Sequence, residues 1–145
     1  MPSSTRSRTE PLNPERVFVD SSALLALLDS DDAHHAAAGE WVGGPGRRAL
    51  LLSHSYVVVE TTALVARRLG PKASKVLIDA WLPELSVMYV DEELHRQAMV
   101  AYRKELSRRR SFVDRVSFEW MRHRQVDTAF AFDADFKKEG FAVVP

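Results

Sequence analysis

The sequence predicts an α/β domain built on a largely parallel central sheet of about five strands. Short β-rich runs recur along the chain: Val17-Phe18-Val19, Leu50-Leu51-Leu52, Val87 to Val90, Thr128 to Phe132 and Ala142-Val143-Val144. Between them lie longer stretches with the apolar spacing of amphipathic helices, an alternation suited to crossovers between parallel strands. The length of 145 residues and the 46% apolar share suit one soluble core.

Residues 1–16 mix Ser, Thr, Pro, Arg and Glu without an apolar segment, so they read as a flexible tail ahead of a domain spanning 17–145. The first strand ends at Asp20, and Ser21 and Ser22 can cap a helix whose core positions are Leu24, Leu25, Leu27 and Leu28. Asp31 or Asp32 starts a second helix that Gly43-Gly44-Pro45 ends. After the Leu50 strand, Ser53 or Ser55 opens a third helix reaching Arg68. Gly70-Pro71 breaks the chain and begins a fourth, through Val76, Leu77 and Trp81. Asp91 caps a fifth helix carrying Leu94, Ala98 and Ala101, and Phe112 to Met121 has helical spacing again.

The chain has no cysteine, which excludes a disulfide framework or a thiolate site and fits an intracellular protein; a cytoplasmic location is the expectation. The longest apolar stretch, Ala23 to Leu28, is far below the roughly 20 residues of a membrane span, so no membrane association is expected. Net charge is zero, with 20 basic and 20 acidic residues, but the distribution is uneven. Arg96, Arg103, Lys104, Arg108, Arg109 and Arg110 face only Glu105 within residues 96–110. That stretch is either a solvated helix end and loop or a phosphate-contacting rim.

Carboxylates stand directly beside apolar runs. Asp20 follows the first strand and Asp133 follows Ala129-Phe130-Ala131-Phe132, at the strand ends where α/β sheets bind ligands. Glu60 adjoins Val57-Val58-Val59, and Asp114 is flanked by Phe112, Val113 and Val116. Each has an ordinary explanation: Asp20 or Asp114 as a helix cap, Glu60 paired with Arg67 or Arg68, Asp133 in an Asx-turn. If they converge, each pair at about 4 Å costs on the order of several kcal/mol, so pKa values rise or a cation compensates. Mg²⁺, or Mn²⁺ in its place, is the hard cation such a set suits. No Cys or spaced His pair offers a zinc-type site. His34 and His35 point about 100° apart on a helix, and with His54, His95 and His123 they read as structural or solvent-facing.

The segments VFVDSSALLALLD, SYVVVETTALVARRLG, SFVDRVSFEWMR and AFAFDADFKKEGFAVVP together resemble a PIN domain, most closely the VapC-like toxins and their free-standing relatives. The resemblance spans residues 17–145 and implies a three-layer α/β/α fold. It implies a Mg/Mn-dependent endoribonuclease, the toxin of a type II toxin–antitoxin pair, cutting RNA to leave a 5′-phosphate and a 3′-hydroxyl. The alternative is a PIN-like RNA-binding or RNA-processing module with no toxin role.

Residue by residue, the resemblance makes Asp20, Glu60, Asp114 and Asp133 the catalytic, metal-holding acids. Ser22 and Ser117 stand where relatives often place a hydroxyl near the metal. Asp135 is either an auxiliary ligand or solvent-facing. Many relatives carry Thr where this chain has Ala131, which removes a hydroxyl contact to a metal-bound water but not the carboxylate set. Arg108, Arg109, Arg110 and Arg115 are the candidate contacts to RNA phosphates. The family further implies a homodimer and a small antitoxin protein lying in an apolar groove, for which Leu24, Leu28, Trp41, Leu77 and Trp81 are the candidate residues, with core packing as the equal explanation.

Two other folds place Asp after a first strand. A haloacid-dehalogenase-type phosphatase needs a second Asp where this chain has Ser22, and a phosphorylation receiver needs an acidic pair there.

Overall fold

A computed structural model describes residues 13–145. Among the described residues five strands form one sheet: β1 (Arg16–Val19), β2 (Leu50–His54), β3 (Ser86–Met88), β4 (Thr128–Phe130) and β5 (Ala142–Val144), in the order β3-β2-β1-β4-β5. Every neighbouring pair is parallel. Val17, Phe18 and Val19 of β1 are wholly or almost wholly buried, as the central strand of a sheet covered on both faces requires.

Seven α-helices within the same residues connect the strands: α1 (Ser21–Leu28), α2 (His35–Gly43), α3 (Ser55–Arg68), α4 (Pro71–Val76), α5 (Glu92–Lys104), α6 (Phe112–Arg124) and α7 (Asp135–Lys138). The strand order runs outward from β1 to β3, then jumps across β1 to β4 and β5. Right-handed crossovers therefore place α1–α4 on one face and α5–α7 on the other, giving three layers. The packing agrees: α1 lies on α2 and α3, α3 on α4, and α5 on α6. The reversal of direction between β1 and β4 opens a crevice at their carboxyl ends. Asp20 and Asp133 follow those two strands.

The expected elements are present, with local differences: α2 begins at His35, β3 and β4 end at Met88 and Phe130, and Asp20 and His54 are the caps of α1 and α3. Helix α4 does not run on as α-helix through Trp81; Leu77–Trp81 is a π-turn and Leu82–Glu84 a 3₁₀ turn, Pro83 lacking the amide a longer helix needs. Pro45–Arg48 forms a 3₁₀ turn, and α7 is a single turn. Of the tail expected over 1–16, residues 1–12 lie outside the described residues. Glu15 and Arg16 belong to the sheet: the Glu15 carbonyl accepts from the Leu50 amide, and Arg16 opens β1.

The proposed groove residues are mostly core. Leu24, Trp41 and Leu77 are buried, while Leu28 and Trp81 are half-buried, so helical spacing here reported an inward face. Among the described residues no helix is long and apolar enough to cross a membrane.

Candidate metal centre

Asp20 leaves β1 with its amide still bonded to the Phe130 carbonyl at 3.1 Å, which ties it to the end of β4. It then caps α1: its Oδ2 accepts from the Ser22 amide at 3.2 Å and the Ser22 hydroxyl at 2.7 Å. Ser22 Oγ in turn accepts from the Phe132 amide at 3.0 Å, so one hydroxyl couples the loops after β1 and β4. Ser21, read from the sequence only as a helix cap, donates to Glu60 Oε1 at 2.6 Å. Glu60 therefore pairs with the start of α1 and not with Arg67 or Arg68.

Asp114 closes a capping box. Its amide donates to Ser111 Oγ at 3.0 Å, and its Oδ2 accepts from the Ser111 amide at 2.9 Å. Asp133 Oδ1 accepts from the Asp135 amide at 2.9 Å, the Asx-turn that opens α7. The ordinary roles of Asp20, Asp114 and Asp133 are thus present. At Asp20, Asp114 and Asp133 a local hydrogen bond holds one carboxylate oxygen and leaves the other for a cation.

The acids converge. Burial above all, with the charges of Asp114 and Glu60, raises the Asp20 carboxyl from 3.8 to about 7 against the opposing Ser22 hydrogen bonds. Burial likewise raises Asp114 to about 6, with the Asp133 and Glu60 charges adding to it. Asp114 is the hub, sensed by or sensing every other member. One oxygen each from Asp114, Asp133 and Asp135 lies within 4.8 Å of the others, close enough to share an ion. Buried, mutually repelling carboxylates forced towards protonation are a donor set that a hard divalent cation fits.

Asp135 differs from its neighbours. It is buried, which removes the solvent-facing reading, and its Oδ1 lies 3.7 Å from both Arg109 and Arg110 and 3.9 Å from Lys138. Its charge is compensated from the protein side, so it joins the acidic cluster to the basic loop.

Two expectations need correction. Ser117 does not turn its hydroxyl to the acids: fully buried, it donates to the Val113 carbonyl at 3.0 Å and receives a hydrogen bond from His54 Nε2 at 2.9 Å. His54 Nδ1 accepts from the Val57 amide, which fixes the tautomer with hydrogen on Nε2. Burial lowers this imidazole to about 3, so His54 stays neutral as the cap of α3. The second correction concerns the arginines. Arg115 is 8% exposed, lies over the Phe118 ring and pairs with Glu105 at 2.9 Å and Glu139 at 3.9 Å. Arg110 pairs with Glu139 and Glu105. Burial would raise Glu139, but its hydrogen bond from Arg122 and the Arg110 and Arg115 charges outweigh that and hold it below its ordinary value. Arg108 and Arg109 alone of the four remain exposed as a rim.

With this geometry in view, similarity to known proteins is specific. The PIN domain family matches residues 17–141. The 23S rRNA-specific endonuclease VapC20 of Mycobacterium tuberculosis is 34% identical over 130 residues, covering 88% of this chain and 97% of that protein. The crystal structure of that VapC20, described as a sarcin-ricin loop cleaving toxin, aligns with a TM-score of 0.76 at 33% identity over 89% of this chain and 99% of its own. FitAcB from Neisseria gonorrhoeae aligns with a TM-score of 0.64 at 16% identity, covering 89% of this chain and 96% of that one, a likeness of fold.

Proposed function

From the premise that this chain belongs to the PIN domain family, we propose that it is a Mg²⁺- or Mn²⁺-dependent endoribonuclease acting as the toxin of a toxin–antitoxin pair. The reading is supported by the cluster of Asp114 with Asp133 and Asp135 beside the crevice, and by burial and the neighbouring Asp20, Glu60, Asp114 and Asp133 charges that push Asp20 and Asp114 towards protonation. The likeness to a ribosomal RNA endonuclease over 88% of this chain makes a stem-loop of 23S rRNA the first substrate to test.

Asp20, Glu60 and Asp114 would hold the cation, with Asp133 in support. When bound, a divalent ion of this kind supplies an ionised water and neutralises charge on the phosphoryl group. The chain's own residues do the rest. Ser22 orients Asp20, and Ser21 orients Glu60. Asp135 anchors the loop that carries Arg109, so phosphate-binding charge stands beside the acids. Water oxygen joins phosphorus, the P–O3′ bond breaks, and the 3′-oxygen departs with a proton, leaving a 5′-phosphate. A homodimer, an antitoxin partner and a cytoplasmic setting belong to the same reading.

The test is cleavage of an end-labelled 23S stem-loop with Mg²⁺, with EDTA, and by Asp20→Asn. The reading expects cuts with 5′-phosphate ends from the wild type alone, and none from a folded Asp20→Asn. Cleavage by Asp20→Asn at saturating Mg²⁺ would count against it. Binding without cleavage would favour an RNA-binding module.

A further inference from the structure

We propose that the stacked rings of His34 and Phe132 form a platform for an unpaired RNA base beside the carboxylate cluster. The inference rests on the endoribonuclease reading and names how that site grips its substrate. His34 and Phe132 lie face to face, ring centroids 4.4 Å apart and planes within 9°. Phe132 covers one face of the imidazole, while His34 as a residue is exposed, and the proposal takes the opposite ring face as the open one.

The pair is built into the site. Phe132 immediately precedes Asp133, and its amide is bonded to the Ser22 hydroxyl that orients Asp20. A base on the outer face of His34 would therefore sit two stacked rings from the loop that carries Asp133.

The platform is also rigid. Phe132 meets Phe130 edge-on at 6.1 Å, and Phe130 packs on Trp41 at 4.5 Å. Phe130 and Trp41 are buried, Phe132 half-buried and His34 exposed, so the rings step from core to surface. The His34 amide donates to Asp32 Oδ1 at 2.8 Å, which fixes the turn entering α2. A ring already held in place loses little entropy when a base stacks on it. Imidazole and benzyl rings are among the surfaces on which splayed bases stack, and stacking tolerates any base because each has a π-face. Arg108 and Arg109 supply backbone charge without reading bases, so the stack adds what the rim lacks: a preference for loops over duplex.

The experiment measures binding of two fluorescein-labelled RNAs to the protein in the Asp20→Asn background, which prevents cutting. One is the 23S stem-loop; the other has the same stem and backbone with abasic riboses throughout the loop. The proposal expects the intact loop to bind about tenfold or more tighter than the abasic one. Adding His34→Ala should weaken the intact loop by about tenfold and leave the abasic loop within about twofold. His34→Phe, which keeps the ring and removes its titratable nitrogens, should restore the intact loop. Equal loss on both RNAs, no loss with His34→Ala, or no binding of either RNA overturns the platform. Failure of the nuclease reading is separate: a wild-type protein that leaves the intact loop uncut sinks that reading, while the binding comparison still decides this one.

Discussion

Ser21 Oγ and Glu60 Oε1 lie 2.6 Å apart, joining the first residue of α1 to the second turn of α3 across 39 positions of sequence. The bond turns a helix glutamate towards the strand-end acids. Groups that orient metal ligands typically change affinity by about 10–100-fold when removed. Ser21→Ala should therefore weaken Mn²⁺ binding, followed by titration calorimetry, by about tenfold with little change in melting temperature, and Ser21→Thr should recover it. Unchanged affinity would show that Glu60 does not contribute through this oxygen.

The raised Asp20 carboxyl has an uncommon consequence for stability. Its folded value of about 7 exceeds the unfolded value near 3.8, so between those pH values the unfolded chain has lost a proton the native protein keeps. Metal-free protein should lose stability as pH climbs through that window, by an amount on the order of a few kcal/mol. His54 acts oppositely: lowered from 6.5 to about 3, it costs stability as pH falls through its own window. Asp114, raised to about 6, adds a slope of the same sign as Asp20, and all three windows overlap, so the difference between wild type and Asp20→Asn is what reports Asp20. In EDTA, urea titrations should find Asp20→Asn increasingly the more stable protein from pH 4 to 7; a flat difference contradicts the burial account.

Ser117 gives a sharp contrast. Ser117→Ala leaves the buried His54 Nε2–H without its acceptor, which should cost about 1–3 kcal/mol. Cleavage per folded molecule should hardly change. Lost turnover with intact stability would return the hydroxyl to the metal side.

The basic loop divides in the same way. Charge reversal at Arg108 and Arg109 should weaken RNA binding and flatten its salt dependence, by up to about 0.9 in slope for each phosphate no longer neutralised. Arg115→Ala should instead lower melting temperature, because its guanidinium serves Glu105 and Glu139. A salt slope unaffected by the double reversal would remove the rim.

Much of this was legible in the sequence because hydrophobic runs ended on single acids. Val17-Phe18-Val19 before Asp20, and Ala129 to Phe132 before Asp133, announce strand ends, and strand ends in parallel sheets gather. The arginines were not legible: a run at 108–110 followed by Arg115 reads as surface, and the pairing partner Glu139 lies 29 positions from Arg110. Ser117 shares the helical face of Asp114, but that periodicity does not reveal that His54 arrives from β2 to take its hydroxyl. His54 itself sits between two serines, with nothing local to signal the stack on Phe18 that buries it.

Crystals grown with Mn²⁺, with diffraction collected at the manganese absorption edge, test the carboxylate centre most directly. The account predicts an anomalous peak at coordination distance, about 2–2.5 Å, from oxygens of Asp20 and Asp114, with Glu60 and Asp133 around it. Manganese bound elsewhere on the domain, with these acids bare, would contradict it.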